Sequence, residues 1–328
     1  MLAPPGAHSN IHGNDLADEK EVNEWTRFGF RIAVGAALHP FEYAKVLAQL
    51  GYEPIAPRPG KSLLGKDILV LPNMFQYVGY IRRMDGFYGM YRGLSPKIFG
   101  NLLAFVCSEK VITAFKLPTA EECKLKDDVD LSDEELYLQF KLNLKRDLVI
   151  SMTSIIVCQP FHVISLRMMA QFIGGEKIYQ SIVGSIIEIY KYEGISGFFS
   201  GLLPKLIGDV ASLILTSTTV FMLNKYLIKD KVGRHYNSGL TQFAIASMLY
   251  PFQVVASCMC VTGSRLMAAS PPMMPMYRNS IDCWNHLSSL GELKRGNAFF
   301  LRYVPGPRKN NYISQTNYSI MPPLSKKQ

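Results

Sequence analysis

Ionisable and polar side chains lie inside segments that are otherwise apolar and long enough to cross a bilayer. A charged group at the centre of a membrane helix costs about 2.5–3.5 kcal/mol on insertion scales, so such groups should face a shared polar space and not lipid. The chemistry they offer is hydrogen bonding and ion pairing with a polar partner inside the membrane. The residues that we predict to line this wetted groove are Glu42, Lys45, His162, Arg167, Asp209, Tyr250 and Gln253.

Several of these residues also have a purely local interpretation, which the sequence leaves open. Glu42 and Lys45 lie three residues apart and can pair with each other on one helix. His162 can donate to a neighbouring carbonyl, and Arg167 can extend its head group to the membrane interface. Asp209 is the strongest groove candidate, because we expect no base within one turn of it on its own helix.

The sequence offers no pattern for covalent or metal chemistry. It contains no Walker motif and no recognisable nucleophile constellation, its six cysteines form no Cys-x-x-Cys pair, and no histidine cluster has metal-ligand spacing. We therefore expect no catalytic residue, no metal and no cofactor. The formal net charge of +9 suits contact with anionic lipid. The basic residues are spread among membrane-length segments, which argues against nucleic-acid binding.

A repeated Pro-Phe dipeptide organises the elements that must position these residues. Pro40-Phe41, Pro160-Phe161 and Pro251-Phe252 each lie in a long apolar segment, where proline should kink a helix. Each is followed by an amphipathic segment and a Gly-rich turn, which indicates an internal repeat and an all-α membrane bundle. The predicted kinked helices are 25–50, 148–173 and 240–262; the surface helices are 73–84, 179–192 and 277–290; the straight helices are 96–115 and 204–227.

The third repeat breaks off before its straight helix. After Gly296 the apolar residues are too few for a crossing, which needs about 20. The sequence thus predicts five crossings where its own repeat implies six, leaving the groove open sideways to lipid. The predicted divisions are a disordered segment 1–24, repeats at 25–117 and 141–230, an acidic linker 118–140, an incomplete repeat 231–304 and a polar tail 305–328. The linker is either a solvated connection or an acidic docking surface.

Two motifs of the first repeat resemble the signature of the mitochondrial carrier family. Residues 40–45 fit Pro-x-acid-x-x-base, and residues 85–93 fit acid-Gly-x-x-x-x-aromatic-base-Gly. The family fold that this resemblance implies is a barrel of three repeats, each with a kinked, a surface and a straight helix. In carriers, the acid and base after each proline form ion pairs between repeats and close one end of the cavity.

The other two repeats depart from this signature. His162 and Ser165 stand at the acid and base positions of the second repeat, and Gln253 and Ala256 at those of the third. Glu42 and Lys45 therefore have no charged counterparts, and the closing ring of ion pairs cannot form. A carrier-like chain without this ring and without a sixth helix is similar to the carrier homologues of the mitochondrial outer membrane.

That resemblance implies a multi-pass outer-membrane protein that is not an enzyme. Its implied activity is insertion of α-helical clients, whether tail-anchored, signal-anchored or multi-pass, and its implied partners are these clients, membrane lipids and truncated pro-apoptotic BID. Three alternatives remain: a solute antiporter of the inner membrane, an apoptotic receptor or scaffold without insertase activity, and a lipid scramblase. Basic residues flank both ends of the crossings, so the sequence does not decide which end of the bundle faces the cytosol.

Overall fold

The protein is mostly helical where the computed structural model describes it, at residues 11–61, 65, 67–117, 133–227 and 231–304. Short 3-10 helices at Ile195–Phe199 and Met267–Ala269 connect longer elements. The α-helices in these ranges are α1 (Ile11–Gln49), α2 (Met74–Gly89), α3 (Leu94–Ala114), α4 (Asp133–Ala170), α5 (Ile182–Glu193), α6 (Leu202–Tyr226), α7 (Lys231–Val261) and α8 (Ser280–Leu290).

All three proline-containing helices are longer than the sequence pattern indicated, and α7 begins at Lys231 where residue 240 was expected. Pro40, Pro160 and Pro251 lie inside α1, α4 and α7, as expected. Helix α1 already begins at residue 11, so residues 11–24 are helical where disorder was expected. Helix α4 begins at Asp133, inside the expected linker 118–140, because three acids in its first turn favour a helix N-terminus. The rest of that linker, 118–132, lies outside the described residues.

Within the described ranges, three helical stretches are long and apolar enough to cross a membrane: 133–170, 195–226 and 236–261. They correspond to α4, to α6 with the 3-10 turn before it, and to α7. Helices α1 and α3 have 39 and 21 residues, which is sufficient length, but they do not reach the hydropathy of the other three. Five crossings therefore stay a prediction, with three of them supported by composition.

In the described part of the chain, most of the buried core lies at one end of the bundle. It joins the parts of α1, α4 and α7 that follow their prolines to the surface helices, with Tyr43, Ile164 and Val254 fully buried. The halves before the prolines are mostly exposed, including Phe30 on α1 and Phe243 on α7. Large exposed apolar side chains are typical of surfaces that face lipid. The bundle thus has a packed end, near the surface helices, and an open end.

A small antiparallel sheet lies beside the packed end, in a region where the sequence predicted only a connection. Strand β1 (Arg58–Lys61) pairs with β2 (Asp67–Leu71), and Arg58 lies opposite Val70. The far side of β2 pairs with β3 (Arg302–Tyr303), so Leu71 lies opposite Arg302. Because β1 contains Pro and Gly, which are depleted in strands, its local sequence did not predict this pairing.

The chain that follows the third turn is non-helical over its described length, with a strand at Arg302–Tyr303 alone. No helix occurs between residues 297 and 304, where the first two repeats begin their straight helices α3 and α6. This agrees with the expected break in the third repeat as far as residue 304. The predicted polar tail 305–328 lies outside the described residues.

Candidate functional site

The three repeats share one hydrogen bond that ties each kinked helix to its own turn. The residue before each proline contacts the backbone carbonyl of the residue before the glycine that ends the turn. The third repeat keeps this contact although its described chain continues without a helix. The three pairs are His39 Nε2 to Arg92 O at 3.0 Å, Gln159 Nε2 to Ser200 O at 2.7 Å, and Tyr250 Oη to Arg295 O at 3.2 Å.

Each turn glycine also packs against the kinked helix of the next repeat. Gly93, Gly201 and Gly296 have φ of 84°, 71° and 78°, a region that favours glycine. A β-carbon on Gly201 would lie 2.5 Å from the Ala256 carbonyl oxygen, and one on Gly296 would lie 3.2 Å from that of Lys45. The third turn therefore closes on the first repeat, and backbone packing completes a ring where carriers use ion pairs.

Glu42 pairs with a lysine that the sequence pattern did not single out. Its carboxylate forms an ion pair with Lys97 near the start of α3, and its Oε2 lies 3.9 Å from His39 Nδ1. Lys45 instead places its ammonium 5.0 Å from the ring centroid of Tyr250, a cation–π contact. The local pairing of Glu42 with Lys45 is thus replaced by contacts with other elements.

A second lysine occupies the matching position of repeat two. Gly93–Lys97 and Gly201–Lys205 both read Gly-Leu-x-Pro-Lys. The charge of Lys205 acts on both His162 and Asp209, and that of Lys97 also acts on His162. The expectation that Asp209 has no base within a turn was wrong, since Lys205 precedes it by four residues on α6. The repeated pentapeptide could have revealed both lysines.

Arg167 does not line an open space. Its side chain has 0% exposed surface and forms a two-pronged ion pair with Glu193 at the end of α5. Its Nε also donates to the Cys260 carbonyl at 3.0 Å, and its Nη1 contacts the Tyr179 hydroxyl at 3.4 Å. A buried guanidinium needs such partners because its desolvation is costly. Arg167 therefore joins α4, α5 and α7 and is a packing residue.

The remaining predicted groove residues divide by exposure. Tyr250 is only 3% exposed and belongs to the packed end, contrary to the groove assignment. Gln253, two residues after Pro251, is exposed. The partly exposed charged or titratable residues at the level of the prolines are Glu42, Lys45, Lys97, His162, Lys205 and Asp209. Among the described residues, no group of three or more His, Cys, Asp or Glu side chains could hold a metal ion.

This arrangement defines a class: a helical membrane protein built from three carrier-type repeats. The family model for mitochondrial carrier proteins matches residues 148–231. Mitochondrial carrier homolog 2 from Mus musculus is 35% identical over 271 residues, covering 81% of this chain and 89% of the relative. Mitochondrial carrier homolog 1 from the same species is 33% identical over 328 residues, covering 92% and 83%.

The chain belongs to the mitochondrial carrier family, as a divergent, mitochondrial-carrier-homologue-like member. A more distant relative is the mitochondrial nicotinamide adenine dinucleotide transporter 2 of Arabidopsis thaliana, 26% identical over 329 residues, covering 94% of this chain and 82% of the relative. The sequence resemblance to the carrier family is therefore confirmed, and the protein is a carrier-like membrane protein.

Proposed function

We propose that this protein inserts α-helical segments, including tail-anchored ones, into the mitochondrial outer membrane. The observation that carries the proposal is a set of partly exposed charged groups at the level of the kinks, in a bundle whose third turn leads into non-helical chain as far as residue 304. Glu42, Lys97 and Asp209 represent this set, and Gly296 is the turn glycine. A bundle that lacks a straight helix on one side would present these groups to lipid.

Such a groove lowers the cost of carrying a polar flank through the bilayer. A client's flank would exchange water for hydrogen bonds with groups such as His162 and Gln253, while its apolar segment enters lipid directly. Burial of apolar surface supplies about 25 cal/mol per Å², so a segment of about 20 apolar residues outweighs several buried polar groups. No nucleotide or covalent step is needed for this transfer.

Reconstitution in liposomes tests the proposal directly. Purified protein is incorporated into vesicles, a chaperone-bound tail-anchored client is added, and insertion is read from protease protection of a tag on the client's C-terminus. We expect insertion well above that in protein-free vesicles of the same lipid. Insertion equal to that in protein-free vesicles would refute the proposal. On the same resemblance we propose truncated BID as a partner, and flotation with these vesicles measures its binding.

Solute exchange is the second candidate, and the relative named as a nicotinamide adenine dinucleotide transporter favours it. An antiporter needs a cavity that opens alternately at its two ends, whereas here packing and hydrogen bonds between repeats hold one end together. Vesicles loaded with labelled nucleotide and placed in unlabelled nucleotide distinguish the candidates. Exchange without client insertion would establish the carrier activity in place of the insertase.

A further inference from the structure

The described chain after the third turn crosses back to the first repeat. This segment, residues 297–304, is called the strap. Its Phe299 carbonyl accepts a hydrogen bond from the Met74 amide at 3.1 Å, and the Val304 amide donates to the Leu69 carbonyl at 2.9 Å. The Phe299 ring packs 5.5 Å from Phe75, between ring centroids. The strap thus adds to both the small sheet and the first surface helix, α2.

A buried ion pair fixes the strap in place. Arg302 is 5% exposed and pairs through two nitrogens with the carboxylate of Glu53, which is 9% exposed. The same guanidinium donates to the Pro72 carbonyl at 3.0 Å and lies 5.8 Å from the Tyr77 ring centroid. Burial raises the pKa of Glu53, and the charge of Arg302 opposes that rise. Each charge is stable in this place only while the other is present.

The ion pair joins the segment after α1 to the strap, which belongs to the repeat of α7. In a six-helix barrel a sixth helix would lie between α1 and α7. Glu53 follows the end of α1 by four residues, and the strap follows the turn of the α7 repeat. Nearby, Gln49 Nε2 donates to the Tyr250 hydroxyl at 2.9 Å, and the Ser257 hydroxyl donates to Gln49 Oε1 at 2.9 Å. These contacts hold α1 against α7 at the packed end, while their other halves are exposed.

We propose that the strap seals the packed end, so that the groove admits polypeptide from the side without conducting small solutes. Arg302 is a positioning residue in this arrangement. Through its ion pair with Glu53 it holds the third repeat against the first, where the described chain has no helix between them. The inference deepens the proposed insertase function and rests on it.

The test measures leak and insertion in the same vesicles. Wild type and Arg302→Gln are reconstituted in vesicles that enclose a small fluorescent dye, and dye release is followed before the tag-protection assay. We expect wild type to be tight and Arg302→Gln to release dye several-fold faster. The exchanged pair Glu53→Arg with Arg302→Glu should restore tightness. Arg58→Gln, an exposed arginine on β1, is the matched control and should stay tight.

The outcomes separate the two proposals. A wild type that leaks, or an Arg302→Gln variant as tight as wild type, would overturn the role of the strap whether or not clients insert. A tight wild type that fails to insert clients would overturn the insertase function alone. If Arg302→Gln does not fold, Phe299→Ala decides, because it removes the aromatic packing and leaves the ion pair in place. Tight vesicles with that variant would then count against the strap.

Discussion

Two lysines at matching positions of the repeats differ in their partners. Lys97 forms an ion pair with Glu42, whereas the position equivalent to Glu42 in the second repeat is His162, and Lys205 has Asp209 one turn along its own helix. The acidic residue thus lies on the kinked helix in repeat one (Glu42) and on the straight helix in repeat two (Asp209). The charge content is similar, but among the described residues the ion pair of this lysine with the kinked helix is present in the first repeat and absent from the second.

We expect this difference to appear as energetic coupling. The double variant Glu42→Gln with Lys97→Gln should be more stable than the sum of the single effects predicts, by about 1 kcal/mol, since both groups are partly exposed and solvent weakens their attraction. Unfolding in detergent, followed by circular dichroism, measures the coupling. The cycle of Glu42→Gln with Lys205→Gln is the control and should show none. Equal coupling in both cycles would contradict the assigned pairing.

Arg167 provides the sharpest residue-scale test, because two interpretations of it differ in their effects. As a buried partner of Glu193, its replacement by Met should destabilise the protein by about 3–5 kcal/mol, since a Glu193 carboxylate that is only 15% exposed loses its partner. Adding Glu193→Gln should recover most of the loss. Chemical unfolding in detergent measures both variants. If Arg167→Met instead left stability unchanged and lowered only client insertion, the original groove assignment would be right after all.

The packing of the turn glycines against the kinked helices leads to a prediction for Gly201. Gly201→Ala should destabilise the bundle by about 1–3 kcal/mol, because φ is positive there and the new methyl would clash with the Ala256 carbonyl. Thermal unfolding of the reconstituted protein measures the loss.

Gly35→Ala is the matched control for the glycine ring. Nothing lies within 4 Å of a β-carbon on Gly35 in α1, so this change should be neutral or stabilise by up to about 1 kcal/mol. If the two variants lost stability equally, packing of the turn glycine would not explain the loss at Gly201. The prediction for Gly201 would then be wrong.

The long helices were predictable because their information is local. The repeated Pro-Phe pairs and the helical spacing of apolar residues located every kinked and surface helix, with errors mainly at helix starts such as those of α1 and α7. The sheet was not predictable, since β3 has two residues and pairs with a strand more than 200 positions earlier. Such pairing depends on the tertiary fold and leaves no periodic signal.

The site was only partly predictable for the same reason. A polar side chain in an apolar segment was taken to face a groove, but Arg167 and Tyr250 satisfy their polar groups through partners 26 and 45 residues away. Lys97 and Lys205 were missed because they lie at the starts of their helices, outside the apolar centres. Burial of a polar group is decided by whether distant chain supplies its partners, which composition does not reveal.

In the described chain, contacts that occur in all three repeats form a ring at one end of the bundle, whereas the straight helices are not arranged with the same three-fold symmetry. The hydrogen bond before each proline and the glycine contact after each turn occur in all three repeats. A straight helix follows the first two turns only, within the chain described up to residue 304. A closed ring at one end, with one flank unlike the other two, would suit the proposed entry of clients from a single side.

This asymmetry predicts where a client should touch the protein during insertion. A photo-crosslinking side chain at Gln253, exposed just after the α7 kink, should capture an inserting tail-anchored client. The same probe at Ile187, which is 61% exposed on the surface helix α5, is the matched control and should capture lipid or nothing. Crosslinks are read by immunoblot after a timed illumination, with a client whose apolar segment carries charges as a second control. Equal capture at both positions would mean that clients do not use the flank between α7 and α1, and a client path elsewhere on the bundle would have to replace it.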